Sequence, residues 1–298
     1  MIWILLALGS AIFTSLTTIF TKIGIKNVKS NFATFFRTGI VLLCALFMCL
    51  ISSSFQKLPE VTWQNYLFLG LSGIATGCSW LCYNRALKLG NVSQVAAIDK
   101  SSFVLTTLLF LLFFFPDTTK NGDPLTIVML LLSMMFMLLG TLLMVPIQKG
   151  QKKEEKKWLI YAILSAVFAS LVSLFIKSGL KGIPSPLGTL FRTLIVLLFS
   201  GAIVLCKKDY KQEQKISPKS WLFLTFSGLA TGGAWLLEYE ALNQINSNPV
   251  VIQAAGKLSI LLTMLFSFLL LKEKFTKRTV VGLFILTIGI VFTIVFGL

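Results

Sequence analysis

The chain has 298 residues, of which 56% are hydrophobic and only 13% charged, and its mean hydropathy is +0.86. Soluble domains carry about 25% charged residues, so this composition excludes a soluble catalytic or nucleic-acid-binding domain. The net charge of +16 comes without a single histidine, which removes the usual imidazole base, metal ligand and pH switch.

A membrane-spanning helix needs about 20 apolar residues. In chain order such windows fall at 2–23, 32–52, 63–86, 92–115, 124–147, 158–178, 186–206, 219–242, 248–271 and 277–297. The first has no basic segment before it and no small-residue cleavage site, so it is expected to be a retained helix and not a signal peptide. Turn-forming residues mark the gaps: Leu58-Pro59, Asn121-Gly122-Asp123-Pro124 and Pro184-Ser185-Pro186. The expectation is an all-α integral membrane protein of ten transmembrane helices. The five cysteines, Cys44, Cys49, Cys78, Cys82 and Cys206, lack paired zinc-ligand spacing and read as small packing residues. No metal or cofactor is expected.

Lysine and arginine orient the chain, because cytoplasmic loops retain positive charge. Of 27 basic residues, Arg37, Lys100, Arg192 and Lys257 fall inside helices; the odd-numbered loops hold nineteen of the rest and the even-numbered loops four. Both termini are therefore expected outside the plasma (inner) membrane. The positive charge reports orientation, and nucleic acid is not expected as a partner.

The chain also repeats itself. Residues 10–43 share 18 of 34 identities with 165–198, an offset of 155, and Ser72-Gly73-Ile74-Ala75-Thr76-Gly77 recurs as Ser227-Gly228-Leu229-Ala230-Thr231-Gly232. Each half holds five helices, an odd number, so the second copy enters the membrane in the opposite sense. The expected organisation is a first five-helix repeat over 1–148, a basic cytoplasmic linker over 149–157 and a second repeat over 158–298. Inverted repeats are a recurrent architecture of secondary transporters, which bind substrate near the midplane.

The segments Ser79-Trp80 through Arg85-Ala86-Leu87-Lys88, Ala97-Ile98-Asp99-Lys100, Gly256-Lys257-Leu258-Ser259 and Leu271-Lys272-Glu273-Lys274 carry a family resemblance. The chain resembles the drug/metabolite transporter superfamily, specifically its EamA-type members with two five-helix repeats. The resemblance covers nearly the whole chain and implies a membrane transporter without naming its solute. One departure is visible: the glutamate expected after the fourth helix of a repeat stands as Glu273, whereas the first half has Pro116-Asp117 there.

Charged groups within a span are costly and usually face a partner or a wet cavity. Three acids fall in the helix windows: Asp99, Glu238 and Glu240. Gly73, Gly77, Trp80 and Asn84 share one helical stripe, repeated as Gly228, Gly232, Trp235 and Tyr239. The glycines suit close helix packing, and the tryptophans suit either a cavity wall or the core. Glu238 and Glu240 point about 200° apart, so at most one is a central carboxylate. Glu238, which matches Tyr83, is preferred over Glu240, which matches Arg85 and sits nearer the helix end. Lys257 follows Gln253-Ala254-Ala255-Gly256. Pairing of Lys257 with Glu238 or Glu240, and of Asp99 with Arg85 or Lys100, would neutralise these charges. Arg37 and Arg192, early in the second helix of each half, read as interface anchors, with binding of lipid phosphate or capping of a neighbouring helix end as the alternative. The candidate substrate-binding or coupling residues are thus Trp80, Tyr83, Arg85, Asp99, Lys100, Trp235, Glu238, Tyr239, Gln253 and Lys257.

No phosphate-binding Gly-x-x-x-x-Gly-Lys-Ser/Thr segment is present, which argues against direct ATP drive. An enzyme is not expected. The expected function is alternating-access secondary transport of a small polar or amphipathic, amino-acid-like metabolite, as an exporter with protons as coupling ion. A multidrug exporter of cationic compounds is the alternative within transport, and a structural or receptor-like membrane protein the alternative outside it.

Overall fold

A computed structural model describes residues 2–25, 28–89, 98, 101–115, 124–144, 157–212, 215–271 and 275–297. Asp99, Lys100, Pro116-Asp117, Glu273 and nearly all of the expected linker lie outside the described residues. The helices are α1 (Ile2–Gly24), α2 (Ser30–Ile51), α3 (Trp63–Leu89), α4 (Ser102–Phe113), α5 (Pro124–Met144), α6 (Lys157–Gly179), α7 (Ser185–Cys206), α8 (Pro218–Asn243), α9 (Pro249–Leu271) and α10 (Lys277–Gly297). Among the described residues nine are long and apolar enough to cross a membrane, and the shorter α4 lies inside the fourth expected window. A 3₁₀ helix, Ser54–Glu60, fills the loop after α2 and was not anticipated.

Local chemistry sets the ends. Ser217 caps α8 by accepting from the Ser220 backbone N–H at 3.1 Å, with Pro218 in the first turn. Asn248 does the same for α9, accepting from Val250 N–H at 3.0 Å. The turn between these helices passes through Asn246 at φ +60°, a left-handed conformation that asparagine tolerates. Outward-facing Leu5, Leu198 and Phe284 are each more than half exposed, as side chains facing lipid are.

The described chain forms two compact units, each drawing segments from both halves of the sequence. The first comprises 1–74, 175–245 and 256–273. In it α1 packs along α8, and α2 packs on α7 and α8. The α1–α8 seam carries a hydroxyl ladder: Thr21 Oγ1 lies 2.6 Å from Ser227 Oγ, and Thr17 Oγ1 3.2 Å from Thr231 Oγ1. Glycines set the closest approaches. A Cβ on Gly228 would lie 2.6 Å from Ile40 and 3.2 Å from the Arg37 carbonyl; one on Gly73 would lie 2.7 Å from Ile195 and 3.3 Å from the Arg192 carbonyl. Gly24 likewise meets Leu224, and Gly179 meets Leu69. Each pair of contacts joins residues displaced by 155 positions, with the halves exchanged. Asn65, 3% exposed, ties α3 to the end of α6 by donating to the Gly179 and Lys181 carbonyls, both at 2.9 Å.

The second unit comprises 75–174, 246–255 and 274–298. Its α5 and α10 run in close contact at Gly140 and Gly282, where an added Cβ would lie 2.5 to 2.7 Å from backbone atoms of the facing helix. Thr293 donates to Ser133 across this seam at 2.8 Å. Ser79 and Ser165 join α3 to α6, and Phe110, Leu130, Leu174 and Val250 form an apolar core.

Candidate transport site

Helix α7 starts abruptly. Pro184 is extended, at φ −63° and ψ 140°, and Pro186 occupies the first turn. Ser185 therefore opens the helix, and Arg192, two turns later, lies on the same face. That face meets α8 near its end. Ser185 Oγ donates to Glu240 Oε2 at 2.6 Å, and Arg192 lies over Trp235 and Tyr239. The guanidinium carbon is 4.3 Å from the Trp235 ring centre and 5.8 Å from that of Tyr239. Trp235 and Tyr239, one turn apart, stack with ring centroids 6.5 Å apart and an interplanar angle of 13°.

Arg192 is 3% exposed and Tyr239 1%. Removing a guanidinium from water costs several kcal/mol unless it is compensated. Here Nε donates to Ser72 Oγ at 3.1 Å, and the two rings offer their negative faces, a cation–π contact worth about 2 kcal/mol when desolvated. Arg192 is thus not the interface anchor expected from its place early in a helix. The seven-residue spacing from Ser185 turns it onto α8. Arg37, its counterpart in the first half, is half-buried and donates from Nη2 to Thr231 Oγ1 at 2.9 Å.

The structure stacks Trp235 on Tyr239 beside Arg192. Glu238 and Lys257 are half-buried in the same unit, and each has an interaction partner. The carboxylate of Glu240 accepts from Ser185 and from Gln244 Nε2. Trp80, Tyr83, Arg85 and Gln253 belong to the second unit. There Tyr83 packs with Trp158 and Tyr161 against Ala86 and Ala162, while Arg85 is exposed. Asp99 and Lys100 lie outside the described residues. Arg192, which the structure places against Trp235 and Tyr239, Ser72, which accepts from it, and Ser185, which donates to Glu240, were not among the expected candidates. Their signal was present, since Ser30 and Arg37 recur as Ser185 and Arg192 within the repeated segment.

Nine helices long and apolar enough to cross a membrane, among the described residues, are those of a multi-pass membrane protein. The EamA-like transporter family matches the chain twice, over residues 1–145 and 156–295, and the chain belongs to that family. It is a transporter, not an enzyme. An uncharacterized transporter in the cobO 3'region of Sinorhizobium sp is 45% identical over 103 residues, covering 35% of this chain and 73% of that protein. A solved crystal structure of a protein is 15% identical. It superposes with a TM-score of 0.72 over 99% of this chain and 97% of its own, a likeness of fold.

Proposed function

We propose that this transporter exports a small polar or amphipathic, amino-acid-like solute across the plasma membrane by alternating access, with protons as coupling ion. The observation that carries the solute class is Arg192, buried over Trp235 and Tyr239 and hydrogen-bonded to Ser72. A fixed guanidinium inside a span favours a carboxylate-bearing solute. The two rings offer an apolar surface to the rest of the molecule.

Alternating access is the expected mode for two five-helix repeats of opposite sense, 1–148 and 158–298, joined by a basic linker. The exchanged contacts in the first unit support this reading, because Gly24–Leu224 with Gly179–Leu69, and Gly228–Ile40 with Gly73–Ile195, are what a pseudo-two-fold would produce. The lysine and arginine distribution supports a cytoplasmic side at the odd-numbered loops, with both termini outside. Counterflow of radiolabelled amino acids in proteoliposomes, with and without a pH gradient, tests the proposal. Stimulation by a gradient supports proton coupling, and gradient-independent exchange removes it.

A further inference from the structure

Within the first unit a cavity of about 540 Å³ is lined by Met48, Pro184, Pro186, Leu236, Leu237 and Glu240, with residues 52–54 and 56–57 of the adjoining loop along its edge. The volume lies in the range of small-molecule sites. Helix geometry explains why these side chains converge. Leu236 and Leu237 stand four and three residues before Glu240 and so share its face of α8. Tyr239, one position earlier and about 100° around the helix, faces Arg192 instead. Ser53 adopts φ +51° and turns the chain out of α2 into the 3₁₀ helix that closes the side.

The chemistry of the lining is specific. Among the described residues its two charged side chains are Glu240 and Lys57, and Lys57 is already ion-paired with Glu60. Glu240 is held by one hydrogen bond to each carboxylate oxygen, from Ser185 and from Gln244. A carboxylate has about four acceptor positions, so about two remain for a ligand. Met48, Leu236, Leu237 and the two prolines present apolar surface beside that single anchored anion.

We infer that this cavity binds the ammonium group of an amphipathic primary amine, with Glu240 as its counter-ion and the apolar walls holding its hydrocarbon body. The ammonium carries three N–H donors, enough to engage Glu240 and a loop hydroxyl together. This deepens the transport reading and rests on it: an amino-acid-like solute carries the amine suited to Glu240, and the cavity lining does not include Arg192. The second half supplies this carboxylate where the first half has Arg85 at the equivalent position, so the feature belongs to one mouth and is not a duplicated packing motif.

The test uses the full chain in detergent, with 2-phenylethylamine and its neutral isostere 2-phenylethanol as probes in calorimetric titration. The expected result is at least tenfold tighter binding of the amine than of the alcohol. Glu240→Gln, which keeps side-chain size and removes the charge, should erase that preference and leave alcohol binding unchanged. Met48→Trp, at a partly exposed lining position, should weaken both probes by filling the mouth. Equal amine binding by wild type and Glu240→Gln overturns the site, as does an absence of amine preference in the wild type. Counterflow in proteoliposomes is read separately. Amine preference without any solute movement sinks the transport reading and leaves the site standing, whereas movement without amine preference does the reverse.

Discussion

The guanidinium of Arg192 lies 4.3 Å from the ring centre of Trp235, and the arginine is only 3% exposed. Within a membrane span this contact both supports a costly charge and presents it beside an aromatic wall. The pair is the physical centre of the proposed transport cycle.

Shortening Trp235 should separate the ring's electrostatic role from its volume. Trp235→Phe keeps an aromatic face and is expected to retain most of the transport rate. Trp235→Leu leaves Arg192 without its nearest ring face; a loss of about 2 kcal/mol of compensation corresponds to a fall in initial counterflow rate of more than tenfold. Equal rates for the two variants would show that the ring merely fills space.

Glycines at the helix crossings offer a stability test. Gly73→Ala and Gly228→Ala each force a methyl to within 2.7 and 2.6 Å of an isoleucine, and overpacking of this kind costs about 1–3 kcal/mol. Gly39→Ala meets nothing within 4 Å among the described residues and should be neutral or mildly stabilising, since alanine favours helix. Thermal melting in detergent should lower the first two by similar amounts and leave the third unchanged or raised. A melting point of Gly73→Ala at the wild-type value would contradict the close approach of α3 to α7.

Asn65→Leu removes both donors to the Gly179 and Lys181 carbonyls. Leaving such groups unpaired costs about 1–3 kcal/mol each, so this substitution should lower the melting point at least as far as Gly73→Ala. A smaller drop would mean that water replaces the side-chain amide.

Orientation can be read from a native residue. Cys206 is exposed at the end of α7, next to Lys207 and Lys208. A membrane-impermeant maleimide should label it only after permeabilisation, whereas Gln56→Cys in a Cys206→Ser background should label on intact cells. The opposite pattern would reverse the proposed topology.

Much of the scaffold was readable because its signals are local. Ser217-Pro218 announces the start of α8, Pro124 that of α5, and long apolar runs do the rest. The 3₁₀ helix after α2 escaped because residues 54–60 combine polar and apolar side chains without a helical period, and Ser53 makes its turn without a glycine. The site was less legible for a different reason. The separation of Glu238 from Glu240 around α8 follows from helix geometry, but what holds Glu240 depends on Ser185, a residue of another helix. Arg192 posed the same difficulty: nothing in the residues around it shows that Trp235 and Tyr239 will supply its surroundings. The repeat offered the missing clue, since an arginine retained at position eight of both second helices must satisfy more than a lipid interface.

Counterflow of amino-acid-like solutes in proteoliposomes, comparing wild type with Arg192→Ala, tests the central claim most directly. The expected result is exchange by the wild type and loss of at least tenfold in the variant, with Arg192→Lys recovering part of the rate and the variants inserting into liposomes as well as wild type does. Undiminished exchange by a well-inserted Arg192→Ala protein, or no exchange of such solutes by the wild type, would contradict the account.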